Sequence, residues 1–217
     1  MMKVRYNGHS CFSIFDKDGL CILMDPYEPG SYGGAISYHP IDSKPDIITV
    51  SHDHPDHSDV GQFEGDFEVL RDAGEAKGIK FETLQVYHDR SEGSERGPCK
   101  IFKFQVDGVT ICHMADLGHV LSDEQVEWIG DVDVMMLPVG GYYTIDANEA
   151  TDTVERTRPK IVIPMHYKTD KCGFDITTYE PFIEGKQNVQ VLDTDEIELF
   201  SDKLPGVTEI FVLKHRL

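Results

Sequence analysis

Through its first half the chain alternates short apolar runs with polar breaks, and the period is two. Lys3 to Tyr6, Cys11 to Phe15, Leu20 to Met24, Ile47 to Val50, Lys80 to Val86, Ile101 to Gln105 and Val109 to His113 have the length and β-branched or aromatic content of strands. Asp107-Gly108 joins the last two as a hairpin, because this dipeptide tolerates the left-handed backbone of a tight turn. The pattern then changes. Ser122-x-x-Gln125 ahead of Val126, Trp128 and Ile129 predicts a capped helix start, and Asp146-x-x-Glu149 starts a second helix running to about Thr157. Val132 to Pro138 between them is a strand, as are Ile161 to Met165, Val189 to Leu192, Ile197 to Phe200 and Ile210 to Leu213. A third helix is expected from Asp175 to about Glu184. Hairpins first and strand–helix alternation later predict sheets covered by helices, a mixed α/β fold, rather than a barrel or a bundle.

No repeat, low-complexity tract or linker divides the 217 residues, so one domain over residues 1–217 is expected. There is no basic segment followed by an apolar one near the start and no apolar run of roughly 18 residues, which leads to the expectation of a cytoplasmic protein. Cys11, Cys21, Cys99, Cys112 and Cys172 are scattered and unpaired in spacing. They read as small buried apolar residues rather than as a disulfide framework or a cysteine metal site. A formal net charge of −19 repels phosphate backbones and anionic membranes, so neither nucleic acid nor membrane is expected as a partner. A small-molecule substrate, an anionic one included, and self-association stay open.

The chemistry concentrates in Ser51 to His57, SHDHPDH, directly after the run Ile47 to Val50. In an extended chain His52, His54 and Asp56 share one side, and a turn after Pro55 brings His57 beside them. His88 follows a second strand-like run, His166 ends a third and Asp116 lies just past a fourth. Any one of these is most simply a loop residue. The repetition of metal-ligating residue types at strand ends is what points to a metal site.

His52-x-His54-x-Asp56-His57, a lone His88, Asp116 in a turn and a late His166 resemble the metallo-β-lactamase-fold hydrolase superfamily. Among its branches the sequence is most similar to ascorbate-phosphate lactonase-like proteins and N-acyl-phosphatidylethanolamine phospholipase D. Tyr6-Asn7-Gly8-His9-Ser10, Leu23-Met24-Asp25-Pro26, Met114 to His119, Leu137 to Gly141 and Ile163 to Tyr167 carry the resemblance along nearly the whole chain. It implies a four-layer αββα sandwich with two metal ions at one sheet edge: His52, His54 and His88 on one, Asp56, His57 and His166 on the other, Asp116 bridging. Zinc is the first expectation, with manganese and iron as alternatives. The match departs at two places. A small-Gly-Asp turn is Met114-Ala115-Asp116 here, and an Arg-Gly-x-Asn motif is Arg96-Gly97-Pro98-Cys99.

Two such ions about 3.5–4 Å apart lower the pKa of a shared water toward neutrality, so a hydroxide nucleophile forms without a strong protein base. Hydrolysis of a small ester, lactone or phosphodiester is the leading expectation. No GxSxG, HExxH or P-loop signals another route. A di-iron redox protein and a non-catalytic metal-binding regulator are the alternatives, the first weakened by the lack of any attached flavodoxin-like segment. Asp116, His9 and His119 are the candidate catalytic residues, with Tyr143 and Lys168 as weaker candidates to assist a leaving group. Asp25 and His113 are expected to orient ligands. Gly140-Gly141 is either a turn or a backbone wall of the cavity. Asp89 to Pro98 is either mobile surface or a lid.

Overall fold

The structure, a computed structural model, describes residues 1–216 and contains two facing sheets. The first is built from β1 (Met2–Gly8), β2 (Cys11–Phe15), β3 (Cys21–Met24), β4 (Ile47–Thr49), β5 (Glu68–Leu70) and, returning late, β13 (Glu196–Leu199). Its order is β13-β1-β2-β3-β4-β5. The second holds β6 (Gly74–Ala76), β7 (Ile79–Tyr87), β8 (Pro98–Val106), β9 (Val109–His113), β10 (Val134–Pro138), β11 (Ile161–Met165), β12 (Val189–Val191) and β14 (Glu209–Val212). It is ordered β12-β14-β11-β10-β9-β8-β7-β6.

Period-two alternation decides which side chains meet between the sheets. Phe12, Ile14, Ile22, Met24 and Ile47 point inward and join Phe81, Phe102, Phe104 and Ile111 in one core. Leu23, Ile48 and Val50 point the other way, into a second cluster closed by Tyr27, Ile36, Tyr38 and Ile41. That outer layer is mostly irregular chain, with two short helical turns, α1 (Ser31–Gly34) and a 3-10 turn at Val60–Gln62. The outer face of the second sheet is covered by α2 (Asp123–Ile129), α3 (Ala147–Thr157) and α4 (Glu180–Ile183), whose Ile129, Ala150 and Phe182 reach the main core. Because β10 is covered on both faces, all five of its residues are buried. The mixed α/β two-sheet expectation therefore holds, with helices on one outer face and looped chain on the other.

Both predicted capping boxes form. Ser122 and Gln125, and Asp146 and Glu149, exchange side-chain and backbone hydrogen bonds at the starts of α2 and α3. The helix expected from Asp175 shrinks to α4. Pro181 fits only the first helical turn, and Thr177 is used instead to tie down Gly140, whose carbonyl accepts from both the Thr177 N–H (2.8 Å) and its hydroxyl (2.9 Å). β5 and β6, three residues each and largely exposed, carry too little apolar pattern to be read from sequence.

The topology also fixes where the site must be. β3 and β4 run parallel, as do β9, β10 and β11, so all five end at the same edge, and the residues that follow are Asp25, Val50 (just ahead of Ser51), Met114, Val139 and His166. Carboxyl ends of parallel strands are where such sheets collect ligands.

Candidate metal centre

At this edge the chain turns sharply straight out of strands, and side chains rather than glycines often carry the left-handed backbone. His9 (φ 54°), Asp25 (φ 45°), Ala115 (φ 50°) and His166 (φ 49°) all adopt it. Ala115 occupies the position where the resembled motif has glycine, so the turn survives with an alanine bearing its strain. Two real glycines serve close approach. A Cβ on Gly118 would lie 2.3 Å from the His88 carbonyl carbon, and one on Gly140 would lie 2.2 Å from the His166 carbonyl oxygen. Gly140 is thus a packing residue against the His166 loop, and Gly118 against the His88 loop, while Gly141 (φ 68°) makes a turn.

The structure brings all seven expected ligands together. Donor atoms of His52, His54 and His88 lie within 4.8 Å of one another, and so do those of His9, Asp56, His57 and His166. Between the two groups stands one oxygen. Asp116 Oδ2 is 3.0 Å from His57 Nε2, 3.0 Å from His88 Nε2, 3.3 Å from His166 Nε2 and 3.8 Å from His52 Nε2.

The outer nitrogens of the imidazoles are held by fixed partners. His57 Nδ1–H donates to Asp25 Oδ2 at 3.0 Å, His88 Nδ1–H to the Tyr143 carbonyl at 2.9 Å and His52 Nδ1–H to Ser51 Oγ at 2.9 Å. The hydrogen-bond network thereby assigns the tautomers and turns each Nε2 lone pair toward Asp116. Asp25 is itself fixed by the Ser51 N–H (2.9 Å) and hydroxyl (2.5 Å). His113 does the same for the Asp116 turn: its Nε2–H donates to the Ser10 carbonyl (2.8 Å) and its Nδ1 accepts from the Ala115 N–H (3.2 Å).

Among the described residues, His57 Nε2, Asp116 Oδ1, His166 Nδ1 and His9 Nδ1 are buried without a hydrogen-bond partner. His52 Nε2 and His54 Nδ1 face each other at 3.0 Å and must share either a proton or a cation. Converging, unpartnered lone pairs are costly in protein alone and are what divalent cations satisfy. The donor set fits a metal. The imidazoles do not titrate alike: burial pushes His52 down to about 3, and burial together with nearby His166 pushes His9 down to about 4 against the opposing pull of Asp56, whereas, against the effect of burial, the Asp116 carboxylate raises His57 and His88.

Of the three candidate catalytic residues, Asp116 and His9 reach the cluster and His119 does not. His9 is fully buried and its Nε2–H donates to Asp56 Oδ2 at 2.9 Å, so it positions a ligand carboxylate. His119 spends both nitrogens on backbone, accepting from the Tyr87 N–H (3.3 Å) and donating to the Val120 carbonyl (2.9 Å). Lys168 is likewise occupied, donating to the Phe174 carbonyl at 2.5 Å. The expectation for His119 is corrected on that ground: it is adjacent in sequence to the Asp116 turn, but its ring braces the start of the His88 loop.

Over the cluster lies a cavity of about 240 Å³. His54, Asp56, His88, Asp116 and His166 form its floor, Tyr32, Tyr143 and Phe174 its walls, and Arg96 its basic rim. Tyr32, Phe174 and Arg96 were not foreseen as wall residues. Tyr32 reaches in from a left-handed position (φ 52°) to donate its hydroxyl to Asp56 Oδ1 at 3.2 Å. The Asp89 to Pro98 segment is organised around one side chain. The buried Asp89 carboxylate accepts from the N–H groups of Ser91, Gly93, Glu95 and Arg96 at 2.8–3.1 Å. Although burial works to raise it, these four donors hold that carboxyl down to about 2.

The family description "Beta-lactamase superfamily domain" matches residues 3–166. A UPF0173 metal-dependent hydrolase of Pyrococcus furiosus is 31% identical, covering 90% of this chain and 98% of the relative. One from Pyrococcus abyssi is also 31% identical, over 92% and 100%. The crystal structure of a Thermotoga maritima member of the metallo-β-lactamase superfamily superposes with a TM-score of 0.80 at 31% identity, covering 98% of both chains.

Proposed function

The chain belongs to the metallo-β-lactamase superfamily, among the UPF0173 metal-dependent hydrolases, and from that premise we propose that it hydrolyses a small ester, lactone or phosphodiester at a dinuclear centre. The observation that carries the reading is Asp116 Oδ2, one carboxylate oxygen shared between two separate groups of ligand atoms. In this reading His52, His54 and His88 would hold one ion and Asp56, His57 and His166 the other, with Asp116 available to both. Zinc is the proposed metal, since imidazole and carboxylate donors suit it and the Thermotoga relative is described as a candidate Zn-dependent hydrolase.

When bound, such a pair of cations lowers the pKa of water and polarises the scissile carbonyl or phosphoryl oxygen. The remaining work belongs to the chain. Asp25, Ser51 and the Tyr143 carbonyl hold the imidazoles in place, and His9 holds Asp56. Burial, then Asp56, pushes the Tyr32 phenol above its ordinary range, so it meets a substrate as an O–H donor and not as a base. We assign it the hydrogen bond to the leaving or carbonyl oxygen.

A cavity of about 240 Å³ suits a small molecule, and the net charge of −19 disfavours a nucleic-acid substrate. No helix among the described residues is long and apolar enough to cross a membrane. The test is elemental analysis of purified protein joined to a hydrolysis screen over lactones, phosphodiesters and carboxylic esters. About two transition-metal ions per chain and metal-dependent turnover of one class are expected. Fewer than one ion after reconstitution, or no turnover in any class, would count against the proposal.

A further inference from the structure

We infer that the wall formed by Tyr32, Phe174 and Tyr143 is a specificity surface for a flat unsaturated ring, and that the substrate carries an aryl group close to the bond that is cleaved. This rests on the hydrolase reading above and narrows its substrate class.

The composition of the cavity comes first. Apart from the five residues of its floor and Arg96, every side chain that lines it is aromatic. Among the described residues no aliphatic side chain lines it, although 40% of the chain is hydrophobic. A wall that served only to exclude water would be expected to draw on Leu, Ile and Val, which are the common material of both cores. Size agrees with a single ring. An apolar cavity of roughly 150 Å³ accepts benzene, so about 240 Å³ takes one ring together with the reacting group beside it.

The rings are also set against one another. The Phe174 centroid is 5.2 Å from that of Tyr32 with the planes at 74°, 5.5 Å from that of Tyr143 at 59°, and 5.7 Å from that of the buried His9 at 64°. At these separations and steep angles a ring edge meets a ring face. A further ring entering the cavity can continue that pattern. A saturated ring cannot, because it has no π-face.

Third, the backbone is arranged for this wall. The turn that carries Tyr32 and the loop that carries Phe174 run side by side, joined by an antiparallel bridge between Ile36 and Cys172. The Ser37 N–H donates to the Lys171 carbonyl at 2.9 Å and the Gly173 N–H to the Ala35 carbonyl at 2.6 Å. Gly173 is required at that approach, since a Cβ there would lie 3.0 Å from Ala35 Cα. Lys168 Nζ then holds the Phe174 carbonyl at 2.5 Å. Tyr32 keeps its left-handed backbone (φ 52°) while 50% exposed, so core burial is not what holds it there. What that backbone provides is the hydroxyl bond to Asp56 and the ring contact with Phe174. Strain kept outside the core, at the mouth of a cavity, points to a surface kept for a ligand.

Benzyl and cyclohexylmethyl members of matched carboxylic esters, phosphodiesters and substituted lactones would test this on metal-replete wild type, Phe174→Leu and Phe174→Tyr, with metal content and Tm recorded for each. In the esters and diesters the two alcohols are alike as leaving groups. The saturated ring is the larger and more apolar, so water exclusion alone would favour it. Wild type is expected to prefer benzyl members by about threefold or more in kcat/KM. Phe174→Leu should abolish that preference, mainly through KM, and Phe174→Tyr should retain it. Ligand-observed NMR titration of the same proteins with benzyl alcohol and with cyclohexylmethanol reads the wall without turnover and should give the same order. An equal or reversed preference in wild type, or a benzyl preference that survives Phe174→Leu, would overturn the inference, and the titrations decide where kinetics and binding differ. If Phe174→Leu does not fold, Tyr143→Leu replaces it with the same expectation. If wild type turns over no member, that counts against the hydrolase reading, and the titrations alone decide for or against the aryl wall.

Discussion

The two ends of the sheets solve the same problem, reversing the chain, with different residues. At the far end Lys77-Gly78 joins β6 to β7 and Asp107-Gly108 joins β8 to β9, and each pair takes left-handed φ values (48° and 79°, 49° and 75°). A glycine is present in both turns, and Asp107 also accepts from the Lys17 N–H at 2.7 Å. At the metal end His9, Asp25, Ala115 and His166 adopt the same region without a glycine beside them to share the turn, except at His9, and each is almost fully buried; Asp and His tolerate it better than Ala115 does. The far end is built of what the backbone wants. The near end is built of what the cluster wants, with strain of order 1 kcal/mol at Ala115 offset by the bonds around it.

The comparison breaks most visibly at Asp116. Asp116→Ala should lower kcat/KM by about a thousandfold or more, roughly 4 kcal/mol, and reduce metal content, while the metal-free fold stays largely intact. Turnover at the wild-type rate with full metal would remove Asp116 from its bridging position. Next in size, Asp25→Asn keeps a residue tolerant of positive φ but loses the charge behind His57, and a chelator-competition titration should read metal affinity weaker by about 10–100-fold.

Acid should also act at the near end. His9 is held at about 4 against the usual 6.5, so between those values the unfolded chain binds a proton there that the folded chain does not. Its contribution to stability is present above pH 6.5 and lost as pH falls toward 4. In chelated protein, melting curves of His9→Asn should therefore fall less steeply with acid than those of wild type. An identical pH slope would mean that His9 is not held neutral by the fold.

The smallest effects compare the ends directly. Gly78→Ala should destabilise by about 1 kcal/mol with kcat unchanged, because it imposes at the far end the strain the near end already bears. Ala115→Gly should do the reverse, a gain below about 1 kcal/mol, trimmed by the added freedom of the unfolded chain. Denaturant midpoints measure both, and a loss at Ala115→Gly would show that the turn is not strained.

This division also explains what could be read from the sequence. Turns made from Asp-Gly, capping boxes at Ser122 and Asp146, and period-two runs announce themselves because local chemistry and local structure agree. So did the SHDHPDH ligands, since their spacing is itself local. Tyr32 and Phe174 gave no comparable signal, because they meet the cavity only through tertiary packing of separate loops. Proximity in sequence misled at His119, three residues from Asp116, whose ring turns to the Tyr87 N–H on β7 and to the carbonyl of the next residue, Val120. The helix expected from Asp175 failed for a related reason: a long-range tether from Thr177 to Gly140 outweighed a plausible local pattern.

Tyr143 joins the metal to the cavity through two unlike parts of one residue. Its carbonyl fixes His88, and its ring supports Arg96 and lines the wall. The carbonyl is present whichever amino acid stands at 143, whereas the ring is specific to that choice. Substitution there can therefore reshape ligand preference while the imidazole keeps its partner, provided the loop path is kept. Evolution is left a position where selectivity can drift without first dismantling the metal centre, and directed libraries aimed at new substrates have the same freedom at that codon.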